Sequence, residues 1–331
     1  MTASRRRLVA AGIATLALAG FTTTSWAQQP AAWPTKPVKI ILPAAAGTAP
    51  DIMARILGDK LGKVWGQSVV VENKPGAGGV IGMVTARGAE RDGHTLVLAP
   101  ASVLTMTQYM YRPTQVDIPK DFTAVSLVAV GPMMMAVAAN SPINTLADLV
   151  AAARKDPDKY VAATTFQYSV PHLTADMLAK ATDMPLRSVP FASSAQSISA
   201  VVNGDAQVVI DGIPPLEAMV KGGRLKAIAV FSESRIPNRP QLPAVAEAYP
   251  SMVVNGWFGV VAPNGTPPSV VDKVHRDLAS VLAQPDVVER LDGFGVYPRP
   301  MSSAQFATFW NQERQRWEKA LKDVGAQPVQ Q

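Results

Sequence analysis

The sequence predicts an α/β protein made of two lobes joined by two extended crossing segments. Three observations carry this expectation. Short apolar runs with strand character alternate with helix-like segments along most of the chain, which signals sheets with crossover connections. Two longer extended apolar runs, 122–139 and 252–263, stand apart from the rest and bracket a complete second set of strands and helices. Near the start, two strand–loop–helix units carry small-residue or glycine-rich loops where their strands end. Such loops at the carboxyl edge of a sheet suggest a cleft for a small acidic molecule.

The chain of 331 residues begins with an export signal. Arg5, Arg6 and Arg7 form a basic start, and the apolar run 8–21 is too short for a bilayer span. Ser25-Trp26-Ala27 then places small residues at the two positions a signal peptidase reads, which predicts a signal peptide over 1–27, cleaved after Ala27. Ser4-Arg5-Arg6 also fits twin-arginine export, although Sec signals carry the same arginines and are commoner. No later run is long and apolar enough to cross a membrane. Cysteine is absent, which excludes disulfides, thiol chemistry and a lipid anchor on a mature N-terminal cysteine. The 31 basic residues less the three signal arginines leave 28 against 25 acidic ones, a net of +3. No basic block follows, which argues against nucleic acid as a partner.

The Pro-rich segment 32–37 leads into a first strand, Val38–Leu42, then the loop 43–48 and a helix over 51–64. A second strand, 68–71, runs through Glu72-Asn73 into Pro75-Gly76-Ala77-Gly78-Gly79 and a helix near 80–89. Gly76, Gly78 and Gly79 permit positive φ and turn their N–H groups toward one point. Bare amides at the mouth of a helix form a seat for an anion. Asp92-Gly93 turns the chain into a strand over 95–99. The long run 122–139 is broken only by Gly131-Pro132. In the second set, a helix over 145–154 has Thr145 as N-cap with Asp148 three residues on. There follow a strand over 160–164, helices over 171–181 and 195–203, the latter closed by Gly204, a strand over 207–211, a helix over 214–221 and a strand over 225–231.

The second long run, 252–263, carries Gly256 in its middle. Thr266-Pro267-Pro268 caps and starts a helix whose apolar face is Val270, Val271, Val274, Leu278, Val281 and Leu282. Ser302-x-x-Gln305 is a capping box before a last helix with the stripe Phe306, Phe309, Trp310, Trp317, Leu321 and Val324. These tail helices are expected on the N-terminal lobe. Lobe one is then 28–130 with 256–331, and lobe two is 131–255. Two crossings between lobes make a hinged clamshell that closes around a ligand.

Trp33-Pro34-x-Lys36-Pro37 before a strand, Asp51 at the first helix, and Val69-Val70-Val71-Glu72-Asn73-Lys74-Pro75-Gly76-Ala77-Gly78-Gly79-x-Ile81-Gly82 together form a specific pattern. Asp92-Gly93-x-Thr95-Leu96, Asp121-Phe122-x-x-Val125-Ser126-Leu127-Val128, Pro243-x-Val245-x-Glu247 and Trp257-Phe258-Gly259 extend it. Over essentially the whole mature chain the sequence resembles the Bug-type extracytoplasmic receptors of tripartite tricarboxylate transporters. The resemblance implies a type II periplasmic-binding-protein fold, a periplasmic location, and a monomer without catalytic activity or cofactor. It also implies capture of a small organic carboxylate by backbone amides and bound waters, and two integral-membrane transporter subunits as partners.

The departures from that family are informative. Where it reads P-F-A-P-G-G-x-x-D, this chain has Pro43-Ala44-Ala45-Ala46-Gly47-Thr48-Ala49-Pro50-Asp51. The glycine-rich second-lobe loop, roughly G-S-A-G-N-G-T-S-S-H, is here Ala163-Thr164-Thr165-Phe166-Gln167-Tyr168-Ser169-Val170-Pro171-His172. Space lost at Phe166 and Tyr168 and gained at Ala44 favours an aromatic or otherwise flat, partly apolar carboxylate over citrate-like polyacids.

The candidate ligand contacts follow from loop position. In lobe one they are Ala44, Ala46, Gly47 and Thr48, then Gly78 and Gly79, then Ala101 and Ser102 after the strand 95–99. Gly78 and Gly79 serve equally well as a tight turn, Ser102 as an N-cap, and Asp51 is best read as a cap that complements the helix dipole. In lobe two the candidates are Thr164, Thr165 and Ser169 for their hydroxyls, Phe166, Tyr168 and Phe191 as walls, Ser193, and Asp211 at a strand's carboxyl edge. One of Ser193 and Ser194 caps a helix. Asp211 either orders a water or a ligand amine, or caps the helix at Pro214. His94, His172 and His275 lack metal-ligand spacing, and the methionines 133–135 read as core or hinge lining.

Two other functions were weighed. A nucleotide-dependent enzyme is suggested by Gly76-x-Gly78 after a strand, but Ile81 stands where the fingerprint needs its third glycine, and no acidic residue follows at the ribose distance. A signalling receptor, presenting its closed form to a sensor kinase, uses the same fold. Neighbouring genes for two permease subunits would favour transport, and their absence would favour sensing or an orphan receptor.

Overall fold

The computed structural model describes residues 33–112, 115–236, 238–323 and 325–330. The expected signal peptide and Val324 of the expected C-terminal stripe lie outside the described residues. The chain runs β1 (Val38–Leu42), α1 (Ala49–Trp65), β2 (Val69–Asn73), a tight turn at Ala77–Gly79, α2 (Val80–Arg87), β3 (Thr95–Pro100), α3 (Ala101–Thr105), α4 (Thr107–Met110), β4 (Tyr111–Arg112), α5 (Ile118–Asp121) and β5 (Phe122–Ala138). It continues through α6 (Leu146–Lys155), β6 (Val161–Thr165), α7 (Val170–Thr182), β7 (Arg187–Phe191), α8 (Ser194–Asn203), β8 (Val208–Gly212), α9 (Ile213–Lys221) and β9 (Leu225–Val230). It ends with β10 (Asn255–Pro263), α10 (Pro268–Leu282), α11 (Pro285–Gly293), β11 (Tyr297–Pro298), α12 (Ser303–Asp323) and β12 (Val329–Gln330).

These elements form two α/β lobes, and β5 belongs to both. Its first part pairs antiparallel with β10, from Phe122 opposite Pro263 to Pro132 opposite Asn255, and with β11 on its other edge. Its last part, Met133–Ala138 in sequence, pairs antiparallel with β8 and β9. The strand is continuous through Gly131-Pro132, where the sequence had suggested a break. Proline cannot donate to a ladder, and Pro132 sits where the ladder changes partners. Met133, Met134 and Met135 are buried there, as the reading of core or hinge lining required.

Strand directions follow from β5. In the first lobe the order is β2-β1-β3-β10-β5, with β1, β2 and β3 parallel and β10 antiparallel to both β3 and β5. The first-lobe strands β1–β3 therefore run in the direction of β5, toward the second lobe. In that lobe β8 is antiparallel to β5, and β6 and β7 run with β8. Their carboxyl ends point back at the first lobe. One shared strand thus makes the two carboxyl edges face each other.

Helices cover these sheets by the faces the sequence displayed. α10 buries Val270, Val271, Val274, Leu278, Val281 and Leu282. Its N-cap is Pro267 and not Thr266, whose hydroxyl donates back to the Pro263 carbonyl at 2.8 Å. Proline at the start needs no capped amide, which leaves Thr266 free to close the turn. The capping boxes at Thr145/Asp148 and Ser302/Gln305 are both formed. α12 packs on β5 and α3 of lobe one, but it also touches α7 of lobe two. In α12, the buried Glu313 carboxylate accepts the indole N–H of Trp257 at 2.9 Å and of Trp317 at 3.2 Å.

Glu313→Ala leaves both indoles buried without an acceptor, and urea unfolding is expected to show a loss of roughly 2–4 kcal/mol. Glu313→Gln keeps an acceptor oxygen, and its loss should be about half that or less.

Candidate functional site

The first-lobe edge is built on Asp51, the third residue of α1. It is 4% exposed. Its Oδ2 accepts the Gly47 amide at 2.9 Å and Arg55 Nε at 3.2 Å, and its Oδ1 accepts Asn73 Nδ2 at 3.0 Å. Asn73 Nδ2 also donates to the Ala44 carbonyl at 3.2 Å. Burial works to raise the Asp51 pKa, but Arg55, the Gly47 amide and Asn73 outweigh it and hold the carboxyl below its ordinary value. Asp51 therefore locks the loop 43–48 to the end of β2, in keeping with a capping role. Thr48 is the N-cap of α1, yet its side chain caps nothing; the hydroxyl donates to Ala45 at 2.7 Å. Ala46 and Gly47 are exposed on the loop and Ala44 is half-buried.

The glycine turn packs into this loop. Gly76, Gly78 and Gly79 have φ of 119°, 58° and 96°, the left-handed region that the sequence predicted. A Cβ on Gly79 would lie 2.6 Å from Val103 and 3.4 Å from Pro43, and one on Gly78 would lie 2.1 Å from the Tyr111 ring. The Gly78 carbonyl accepts Thr107 Oγ1 at 2.7 Å. The loops after β1 and β2 and helix α3 are thereby brought together at one edge. Ala101 and Ser102 are the first two residues of α3, whose N-cap is Pro100. Ser102 is therefore not the N-cap that was weighed for it.

On the second-lobe edge Ser169 caps α7, accepting the His172 amide at 3.3 Å, while its own hydroxyl donates to the Thr165 carbonyl at 2.9 Å. Thr165 Oγ1 lies 3.1 Å from Ser169 Oγ. Thr164 is turned inward, fully buried, with its hydroxyl 3.4 Å from the Val189 carbonyl. Phe166 is 48% exposed. Tyr168 has φ of 59°, an arrangement that costs a non-glycine residue about 1–2 kcal/mol, and it stands where the resemblance expects glycine. Its ring meets His172 edge-on, its amide donates to His172 Nδ1 at 2.9 Å, and its hydroxyl accepts the Gln327 amide at 3.1 Å. Burial lowers the His172 pKa against the pull of Asp176, so the imidazole is neutral at pH 7 and accepts at Nδ1.

Phe191, Thr165 and Asp211 form a row across β7, β6 and β8. Thr165 pairs with Phe191, and the parallel register Ala163 to Val209 continues to set Thr165 beside Asp211. Ser193, not Ser194, caps α8, accepting the Gln196 amide at 3.3 Å. Asp211 does not cap α9, whose N-cap is Gly212 without a side-chain bond. The Asp211 Oδ1 accepts the Gly212 amide at 2.7 Å, and Oδ2 is buried without a partner. Burial pushes this carboxyl up to about 6, with Ser194 and the Gly212 amide pulling the other way.

The facing edges thus present the N-termini of α1, α7 and α8, each with main-chain donors left over from helix formation. Arg55 is spent on Asp51 and Asn73. Sequence reasoning missed Asn73 and Arg55 as loop clamps, Tyr111 over Gly78, and Gln327. Asn73 alone left a signal, as a polar residue closing an apolar strand before the glycine turn. Among the described residues no group of His, Cys, Asp or Glu is arranged to hold a metal ion.

Two α/β lobes sharing a strand, with helix N-termini at their facing edges, define the class of a two-lobed ligand receptor. The chain belongs to the tripartite tricarboxylate transporter family receptors (TctC), whose family model matches residues 53–326. These are solute-binding receptors and not enzymes. It is 34% identical over 318 residues to the UPF0065 protein of the tcbD-tcbE intergenic region of Pseudomonas sp., covering 96% of this chain and 94% of that one. Among solved structures it is similar to R. palustris Rpa4515 with adipate, with a TM-score of 0.84 and 28% identity over 90% of this chain and 100% of that one. MatC (Rpa3494) from Rhodopseudomonas palustris with bound malate gives a TM-score of 0.77 and 27% identity over 87% and 99%.

At Asp211 the folded pKa of about 6 lies above the unfolded 3.8, so the folded state holds the extra proton between these values. Stability contributed by this group is therefore lost as pH rises through that window, a cost of at most about 3 kcal/mol at pH 7. Asp211→Asn should melt above the wild type at pH 7 and level with it near pH 4; equal differences at both pH values would count against this assignment.

Proposed function

We propose that this chain captures a small organic carboxylate between its lobes and hands it to two integral-membrane transporter subunits. The observation that carries this reading is the opposition of helix N-termini at facing sheet edges, with Arg55 of the first-lobe edge already paired. Helix N-termini suit a carboxylate without the desolvation cost of a buried arginine, and the glycines shape the loops behind them, the Gly47 amide donating to Asp51 and the Gly79 amide to the Gly76 carbonyl. Adipate and malate in the related solved structures support the ligand class.

In this reading lobe one is 28–130 with 256–331 and lobe two is 131–255, a division supported by the change of β5 partners at Pro132. The first lobe offers Ala44, Ala46, Gly47, Thr48, Gly78, Gly79, Ala101 and Ser102. The second offers Thr165, Ser169, Phe191, Ser193 and Asp211, with Thr164, Phe166 and Tyr168 shaping the loop behind them. Exposed Phe166 and the small Ala44 support a flat or partly apolar acid. The basic, apolar and small-residue order of 1–27 supports export to the periplasm with cleavage after Ala27; among the described residues no helix is long and apolar enough to cross a membrane.

A thermal-shift panel of adipate, malate, citrate and benzoate tests this. A ligand bound only by the folded clamshell at a hundred times its Kd stabilises by about 2.7 kcal/mol, which raises Tm by roughly 4–5 °C in a chain of this size. A midpoint that rises with the concentration of at least one of these acids is expected. A flat response to every acid, repeated by calorimetry, would remove the proposal, and a response to citrate alone would remove the flat-acid preference.

A further inference from the structure

One buried carboxyl at the second-lobe edge has an oxygen with no partner among the described residues. Asp211 is 6% exposed and sits on the face of β8 covered by α8, in the row with Phe191 and Thr165, and Met134 of β5 is its antiparallel neighbour. Its Oδ1 is engaged by the next amide, and Ser194 lies beside the carboxyl. Among the described residues the Oδ2 has no hydrogen-bond partner. The helix that follows cannot supply one, because its first turn contains Pro214 and Pro215, which carry no N–H. Thr165, the neighbouring hydroxyl, is already held against Ser169. Nor does any cation contribute to the environment of Asp211, whose influences are burial, Ser194 and the Gly212 amide.

A carboxylate left buried with an orphan oxygen calls for a donor from outside the chain. It also repels a second carboxylate brought to the same place. We propose that Asp211 Oδ2 accepts a hydrogen bond from the ligand, so that the bound carboxylate carries at its other end a hydroxyl or ammonium donor and not a second carboxylate. This rests on the carboxylate-receptor reading above. The ligand's carboxylate then lies at the first-lobe edge, where the α1 N-terminus offers amides, and its donor end lies at the row Phe191, Thr165, Asp211. Asp211 acts here as the residue that selects among carboxylates.

Matched acids that differ only at the far end test the idea. Calorimetry at pH 7.5 compares adipate, 6-hydroxyhexanoate, 6-aminohexanoate and hexanoate, together with succinate, 4-hydroxybutanoate, 4-aminobutanoate and butanoate. Wild-type protein is expected to bind a donor-ended acid roughly ten- to hundredfold more tightly than its diacid and its alkyl counterpart. The hydroxyl and amine arms tell which donor is used. Asp211→Asn, whose folding the thermal measurement above monitors, should lose most of that preference and gain affinity for the diacid, because an amide no longer repels it. Diacid or alkyl acid binding wild type as tightly as both donor-ended acids overturns the proposal and leaves the receptor reading intact. A preference that survives in Asp211→Asn overturns it too. Binding of none of the eight acids, with the panel of the previous subsection also flat, removes the receptor reading and this proposal with it.

Discussion

Everything about the cleft depends on one strand serving two sheets. β5 enters the first sheet beside β10, passes Pro132 and enters the second beside β8 and β9. A parallel α/β sheet offers its loops and helix N-termini at the carboxyl ends of its strands. Because β1–β3 run with β5 and β6–β8 run against it, those two edges are opposed by construction. A second covalent crossing at β10 and the ladder between the crossings restrict relative motion to bending about this shared seam. The backbone bonds from Met133 to Val254, Val254 to Phe231 and Phe231 to Met133 close the seam on the second-lobe side.

In the proposed reading, anion capture draws on dipoles more than on side-chain charge. The guanidinium of Arg55 serves Asp51, and Asp51 serves the loop that presents the first-lobe amides. A charged side chain is thus used as scaffolding for uncharged donors. This has an energetic logic, since a fixed amide loses less on closure than a flexible arginine stripped of water. The same logic makes Asp211 conspicuous: a carboxyl kept under α8, with one oxygen that no described residue answers, is the group for which we propose a role toward the ligand.

Much of the fold was legible because its signals are local. The α10 face, the two capping boxes and the positive φ of Gly76, Gly78 and Gly79 depend on residues within a turn or two of each other. Membership of the receptor family was legible for a related reason, since the string from Val69 to Gly82 encodes a strand end, a turn and a helix start in one continuous stretch. The strand β7 went unassigned in the sequence, because Pro190 within it weakens the strand pattern. Thr266 was read as a cap because it precedes a helix, and for Ser102 a cap was one of two readings. Pro267 takes the cap place before α10, whose first residue is Pro268 and brings no amide to satisfy, and Pro100 takes it before α3.

Of the candidate site, the sequence by itself determined the loops and the residue types in them, because a loop's composition sets what donors it carries and what φ it tolerates. Only the tertiary structure decided which side chains face the gap. Thr164 and Thr165 are neighbours of equal chemistry, yet strand alternation sends one hydroxyl inward and leaves the other in line with Asp211. Tyr168 and Gln327 are far apart in the chain, and their bond exists only because α12 lays its end across α7. Direction, register and long-range packing are properties of the assembled sheets, and no window of sequence contains them.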